Sequence, residues 1–201
     1  MMSSFFLLAL FDSTLNPGRA WSDRSGWEPL PAVILSGVGL SPAEPAEVRA
    51  RWNDQWLFFE FVCRDTNLVA PGRADGEDHY KIGDVVEVFV AQRGKPAYLE
   101  LHATPESRQT VYAFHDYRRP ADGPDGLVVR AGPLEDGWRA VLALPWSALG
   151  GGPKGGDWDF LAGRYDFDKV GGRPVLSSFP PQTGKPDFHA RARYGRLKLQ
   201  R

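Results

Sequence analysis

The chain has one cysteine, Cys63, in 201 residues. That excludes a disulfide framework and a cysteine-rich zinc site. Neither sign of charge is in excess: 24 basic residues against 25 acidic ones leave a net charge of -1. Nucleic-acid binders normally carry a basic excess or stripe, so that partner class is excluded. No apolar run approaches the ~20 residues of a membrane-spanning helix, and no membrane partner is expected. The apolar run Phe5–Phe11 has no Lys or Arg before it and no small-x-small cleavage pattern after it, so it does not make a convincing secretory signal. Residues 1–20 read as an N-terminal tail, a weak signal segment or a first strand, and residues 21–201 as one domain. The four histidines (His79, His102, His115, His189) lack zinc-enzyme spacing. There is no G-x-S-x-G elbow for a serine hydrolase. The Gly150–Gly152 run before Lys154 lacks the P-loop order and reads as a flexible turn.

Turn residues and aromatics are abundant. The 22 Gly and 17 Pro punctuate a chain that also holds 12 Phe, 7 Trp and 6 Tyr. Many turns with many aromatics predict short strands rather than helices. Glu47–Trp52 and Trp56–Arg64 read as a hairpin around Asn53-Asp54-Gln55. Asp65–Gly83 reads as a long polar loop. Asp84–Ala91, Tyr98–Ala103 and Thr110–His115 follow as strands, and Arg118–Gly126 as a loop. Leu127–Ala131 and Trp138–Leu144 flank an Asp-Gly turn signal. Pro145–Leu149 reads as one helical turn, and Phe160–Phe167 and Tyr194–Leu199 as the last strands. The fold class is therefore all-β: a single-domain, two-sheet antiparallel β-sandwich of about ten strands, immunoglobulin-like or jelly-roll-like.

Strand parity separates the faces. Val86, Val88 and Val90 share one face of their strand, which must be core. Val85, Glu87 and Phe89 share the other. In the next strand Leu99, Leu101 and Ala103 face the core, while Tyr98, Glu100 and His102 face away. A symmetric hairpin centred between Arg93 and Gly94 sets Glu87 opposite Glu100, with Cβ atoms about 5 Å apart. Opposed like charges need a cation, a ligand or a shared proton. Arg164 is the expected cation. Singly these are ordinary surface residues; as a set, Glu87, Glu100, His102 and Arg164 point to a polar site on the second face.

The segments "EVRARWNDQWLFFEFVCRD", "YKIGDVVEVFV", "AYLELHAT", "LPWSAL" and "PDFHARARYGRLKL", in that order from Trp27 to Leu199, resemble the family 9 carbohydrate-binding modules and their stand-alone relatives. The resemblance implies non-catalytic binding of a mono- or oligosaccharide by a monomer in polysaccharide utilisation, outside the cytoplasm. It also implies a sugar held between two aromatic side chains, here Tyr80 and Phe188. Glu87, Glu100, His102, Arg164 and His189 fall at the polar contact positions. The better-known modules use tryptophan at both aromatic positions and are attached to glycan hydrolases, and this chain departs on both counts. Structural calcium is frequent in that family. Asp65, Asp75, Asp78 and Asp84 are available carboxylates, but their spacing matches no calcium loop and no metal is assigned. Two other readings compete. One is a glycoside hydrolase built on Glu87 and Glu100, whose Cβ spacing of about 5 Å would suit the ~5–5.5 Å carboxyl separation of a retaining enzyme. The other is a structural or partner-binding sandwich with no sugar site.

Overall fold

The computed structural model describes residues 5–28, 30–38, 44–116, 120–153 and 157–201. In chain order the elements are β1 (Phe6–Phe11), α1 (Pro17–Ser22), β2 (Val33–Ile34), β3 (Ser36–Gly37), β4 (Ala46–Trp52), β5 (Trp56–Arg64), β6 (Val85–Gln92), β7 (Tyr98–Ala103) and β8 (Gln109–Phe114). They continue with β9 (Pro120–Asp122), β10 (Val128–Leu134), β11 (Gly137–Pro145), β12 (Trp158–Asp166), β13 (Val175–Phe179) and β14 (Gly195–Gln200). Single 3-10 turns lie at His79–Lys81 and Arg191–Arg193. The Arg118–Gly126 segment, expected to be loop, contributes β9; its first two residues, like Lys154, lie outside the described residues.

The all-β reading is correct, but the expectation of two separate antiparallel sheets is not. The described strands form one mixed sheet of 14 strands, ordered β10-β11-β5-β4-β1-β14-β12-β6-β7-β8-β9 along its main path. The reason is β1. Its apolar run FLLALF lies between β4 and β14 and runs parallel to both. It thereby joins two halves that would otherwise be facing sheets, and the result is a half-barrel.

The halves still pack face to face. Phe59 and Phe61 of β5 and Leu142 of β11 meet Val86 and Val88 of β6, Leu101 of β7 and Phe160 of β12 in one core. The Phe59 and Phe160 rings lie 6.5 Å apart. Each such side chain, fully buried, contributes about 1.5–3 kcal/mol. The inward parity of Val86, Val88 and Val90 is as the alternation required.

The outer faces differ. On the β5–β11 half, α1 and its flanks cover Phe58, Val141 and Ala143 with Leu15, Ala20 and Trp27. Asn16 caps α1 by accepting the Arg19 N–H at 3.0 Å, and Pro17 supplies the first-turn geometry. Arg139 of β11 clamps the segment by donating to the carbonyls of Ala20 and Trp21. No helix covers the matching face of β12, β6, β7 and β8 among the described residues. That face carries the site.

Candidate functional site

The outer face of β6, β7, β8 and β12 forms the floor of a cavity of about 600 Å³. Glu87 and Phe89 rise from β6, Glu100 from β7, Tyr112 and Phe114 from β8, and Tyr165 from β12. Two loops supply the walls. Tyr80 comes from the turn before β6, and Phe188 with His189 from the segment before β14.

Glu87 and Glu100 share a face, as parity required, but the register differs from a symmetric hairpin. Glu87 pairs with His102, and Phe89 with Glu100. The turn is longer on the β7 side. Gly94 takes a left-handed conformation (φ 76°), Lys95 N–H closes onto the Gln92 carbonyl at 3.1 Å, and β7 starts only at Tyr98. The shift sets a base opposite Glu87 and leaves Glu100 on the diagonal, which removes the direct opposition of like charges.

His102 Nε2 lies 2.5 Å from Glu100 Oε1 and 3.1 Å from Glu87 Oε1. The His102 side chain is wholly enclosed, and both glutamates are at most 5 % exposed. Burial pushes the Glu87 carboxyl up to about 8; the His102 charge opposes that rise and the Glu100 charge adds to it. For His102, burial pulls the pKa down, but Glu87 and the hydrogen bond to Glu100 overcome it and raise the value. The cluster therefore offers both O–H donors and carboxylate acceptors near neutral pH. Glu100 Oε2 accepts no hydrogen bond from any described residue, although it is buried. An unsatisfied buried acceptor beside a cavity is costly unless a ligand completes it.

The walls are held from behind. Gly76 N–H donates to the Gln109 carbonyl, Thr110 Oγ1 to the Glu77 carbonyl, and Tyr112 Oη to Asp78 at 2.6 Å. These bonds fasten the Tyr80 turn onto the edge of β8. The Tyr80 ring meets the rings of His102 and Tyr165, edge on, at 5.8 Å from each. Phe188 lies 5.8 Å from the other side of the contact, Tyr165 again, so Tyr80 and Phe188 are both one ring away from the same tyrosine. Tyr194 Oη donates to the Phe188 carbonyl and fixes its loop. Gly163 of β12, paired with Glu87, makes room for the Phe188 ring: a Cβ there would stand 2.8 Å from Phe188 Cε2. His189 Nδ1 bonds Tyr98 Oη at 2.9 Å and lies 3.9 Å from Glu100 Oε2.

One expected residue is elsewhere. Arg164 shares its parity with Phe160 and Ala162, which face the core, so it lies on the opposite side of β12 from the cavity. It is fully buried, with Nη2 at 3.0 Å from Asp65 and 3.2 Å from Asp166, and Glu44 at 4.0 Å. Tyr165, one residue on, occupies the cavity position instead.

Two groups of metal-type ligands are present among the described residues. Glu44, Asp65 and Asp166 surround the Arg164 guanidinium, which already supplies their cation. In the Glu87–Glu100–His102 group, one oxygen of each carboxylate is turned to a single imidazole nitrogen that the cavity does not reach. The other calcium candidates serve the chain: Asp84 accepts the N–H groups of Val69 and Phe167, Asp75 that of Gln109, and Asp78 the Tyr112 hydroxyl. None of these sets fits a bound metal. The glutamates do not flank an open gap either. Their ligating oxygens and His102 Nε2 lie within 4.8 Å of one another on one floor, where one enclosed imidazole nitrogen lies between the two carboxyl groups.

Sequence reasoning had missed Phe89, Tyr112, Tyr165 and Gly163. Phe89 was visible as the outward partner of Glu87. Tyr112 was open to the same alternation, two residues from Phe114. Gly163 carried no signal beyond a glycine inside a strand, which often marks close approach of another group.

A mixed sheet curled over one core defines the class: it is the fold of the family 9 carbohydrate-binding modules. Two such modules from Caldicellulosiruptor kristjanssonii superpose on 97 % of this chain, each at 16 % identity. The one in complex with glucose gives a TM-score of 0.71 over 95 % of its length, and the one in complex with cellotriose 0.69 over 93 %. A candidate carbohydrate-binding protein from Bacteroides uniformis matches better, with a TM-score of 0.83 at 17 % identity over 98 % of this chain and all of its own. No family model matches the sequence, and no curated protein matches it.

Proposed function

We propose that the chain binds a mono- or oligosaccharide without transforming it, in the service of polysaccharide utilisation, and that the β6–β7–β12 cavity is the site. The observation that carries this reading is the cavity itself. Half-buried Tyr80 and buried Phe188 wall a floor in which buried Glu100 Oε2 has no hydrogen-bond donor among the described residues. A pyranose has an apolar C–H face and a hydroxyl rim. Aromatic rings take up the face, and each such contact is worth about 0.5–1.5 kcal/mol beyond the area buried. Glu100 accepts a hydroxyl hydrogen in a charge-assisted bond, Glu87 offers its own O–H, and His189 completes the rim. The fold likeness to modules that hold glucose and cellotriose supports the same reading. Smaller rings than tryptophan predict modest affinity.

Calorimetric titration with glucose, cellobiose and cellotriose tests it. Saturable binding that Tyr80→Ala weakens is expected. No heat of binding at tens of millimolar sugar would refute the proposal. Release of reducing sugar, lost in Glu87→Gln, would instead establish the hydrolase.

A further inference from the structure

We propose that the sugar this cavity selects carries a protonated amino group, as a 2-amino-2-deoxyhexose does. The inference rests on the carbohydrate reading above and narrows it.

Glu87 and Glu100 are two acids facing one base, His102. Fully ionised, the cluster is one positive charge short. Without a ligand the deficit is met by a proton on Glu87, in keeping with its raised pKa. Only the two carboxylates reach the cavity; the imidazole is enclosed beneath them. Further acids, Asp78 and Asp187, stand at the rim; no Lys or Arg lines the cavity among the described residues, and the one base in its lining is His189, 3.9 Å from Glu100 Oε2. Asp78 is matched by Lys81 at 2.5 Å, so the deficit centres on the floor.

Glu100 lines the cavity, and its buried Oε2 takes no hydrogen bond from any described residue. A hydroxyl would supply one hydrogen and no charge. An ammonium supplies three donors and a positive charge together, taking the place of the proton that Glu87 otherwise keeps.

Tyr80, Phe89, Tyr112 and Phe188 surround the same space. A cation within about 6 Å of such rings is attracted by their π-faces, most strongly where water is excluded. A neutral sugar uses those rings for its C–H face alone. An amino sugar uses them for both face and charge.

The test is calorimetry on the wild-type protein at pH 6 and constant ionic strength, with four probes: D-glucosamine, D-glucose, N-acetyl-D-glucosamine and D-glucuronate. Glucosamine should bind about tenfold or more tightly than each of the others, a difference of about 1.4 kcal/mol. In Glu100→Gln the preference over glucose should fall to about threefold or less. Equal or tighter binding of glucose, the N-acetyl sugar or glucuronate overturns the amine inference and leaves the carbohydrate reading standing. No binding by any of the four overturns both. The wild-type comparison decides the matter even where the Gln variant does not fold.

Discussion

Gly163→Ala perturbs the cavity through a single methyl group. Gly163 lies on the cavity face of β12, and the added Cβ would meet Phe188 at 2.8 Å and 3.2 Å from two ring carbons. Ordinary contact begins at 3.4 Å, so the ring has to retreat. It cannot move freely, because Phe89 and Tyr165 pack against it edge on at 6.3 Å and 5.8 Å and Tyr194 holds its carbonyl. Two energies compete. Replacing glycine by alanine in a strand stabilises by about 0.4–1 kcal/mol through the unfolded chain. Overpacking a filled site costs about 1–3 kcal/mol. The second wins, for a net loss of about 1–2 kcal/mol. In a domain of this size that lowers Tm by roughly 2–8 °C. The displaced wall also weakens sugar stacking, by about 0.5–1.5 kcal/mol, or roughly 2- to 12-fold in Kd. Thermal melting by circular dichroism and calorimetric titration read the two effects on one preparation. Wild-type Tm together with wild-type affinity would refute the argument that Gly163 exists to seat Phe188.

Further predictions concern the buried charges and the thiol. Arg164→Met leaves Asp65 and Asp166 without their cation inside the fold, which costs about 3–5 kcal/mol; Tm should fall by roughly 6–20 °C, and a shift of only a degree or two would contradict the pairing. The Glu87 carboxyl, raised by burial, favours folding below pH 4.5 and loses that contribution as pH rises through about 8. His102, also raised, runs the same way, and buried His79, lowered by burial, runs the other. The quantity to read is therefore the Tm difference between Glu87→Gln and wild type, which should move in favour of the variant from pH 4.5 to 8; a flat difference would show that Glu87 ionises normally in the fold. Cys63 is buried, and burial pushes its thiol up to about 12. Iodoacetamide at pH 8 should leave it unmodified in the native protein and label it fully in denaturant, by intact mass; rapid native labelling would place it at the surface.

Much of this is legible in the chain alone, because alternation is a local property. The Val86, Val88 and Val90 face, the Glu87 and Glu100 face, and the hairpins at Asn53-Asp54-Gln55 and Asp136-Gly137 all follow from neighbours in the chain. What failed depended on distant partners. Nothing near Phe6 announces that FLLALF runs parallel between β4 and β14 and joins the halves into one sheet. The β6–β7 register hinged on where the backbone turns at Gly94, which moves pairing by two residues while leaving parity intact. Arg164 was misplaced because both faces of β12 are apolar: Phe160 and Ala162 alternate with Leu161 and Tyr165, so parity could not say which side was core. The cavity walls come from loops, and loop packing leaves no periodic trace.

The most direct test of the site is a crystal structure of the protein grown with saturating saccharide. The sugar ring should lie in the β6–β7–β12 cavity against Tyr80 and Phe188, with a donor group about 3 Å from Glu100 Oε2. A sugar bound on another face, or an empty cavity at saturating sugar, would contradict it.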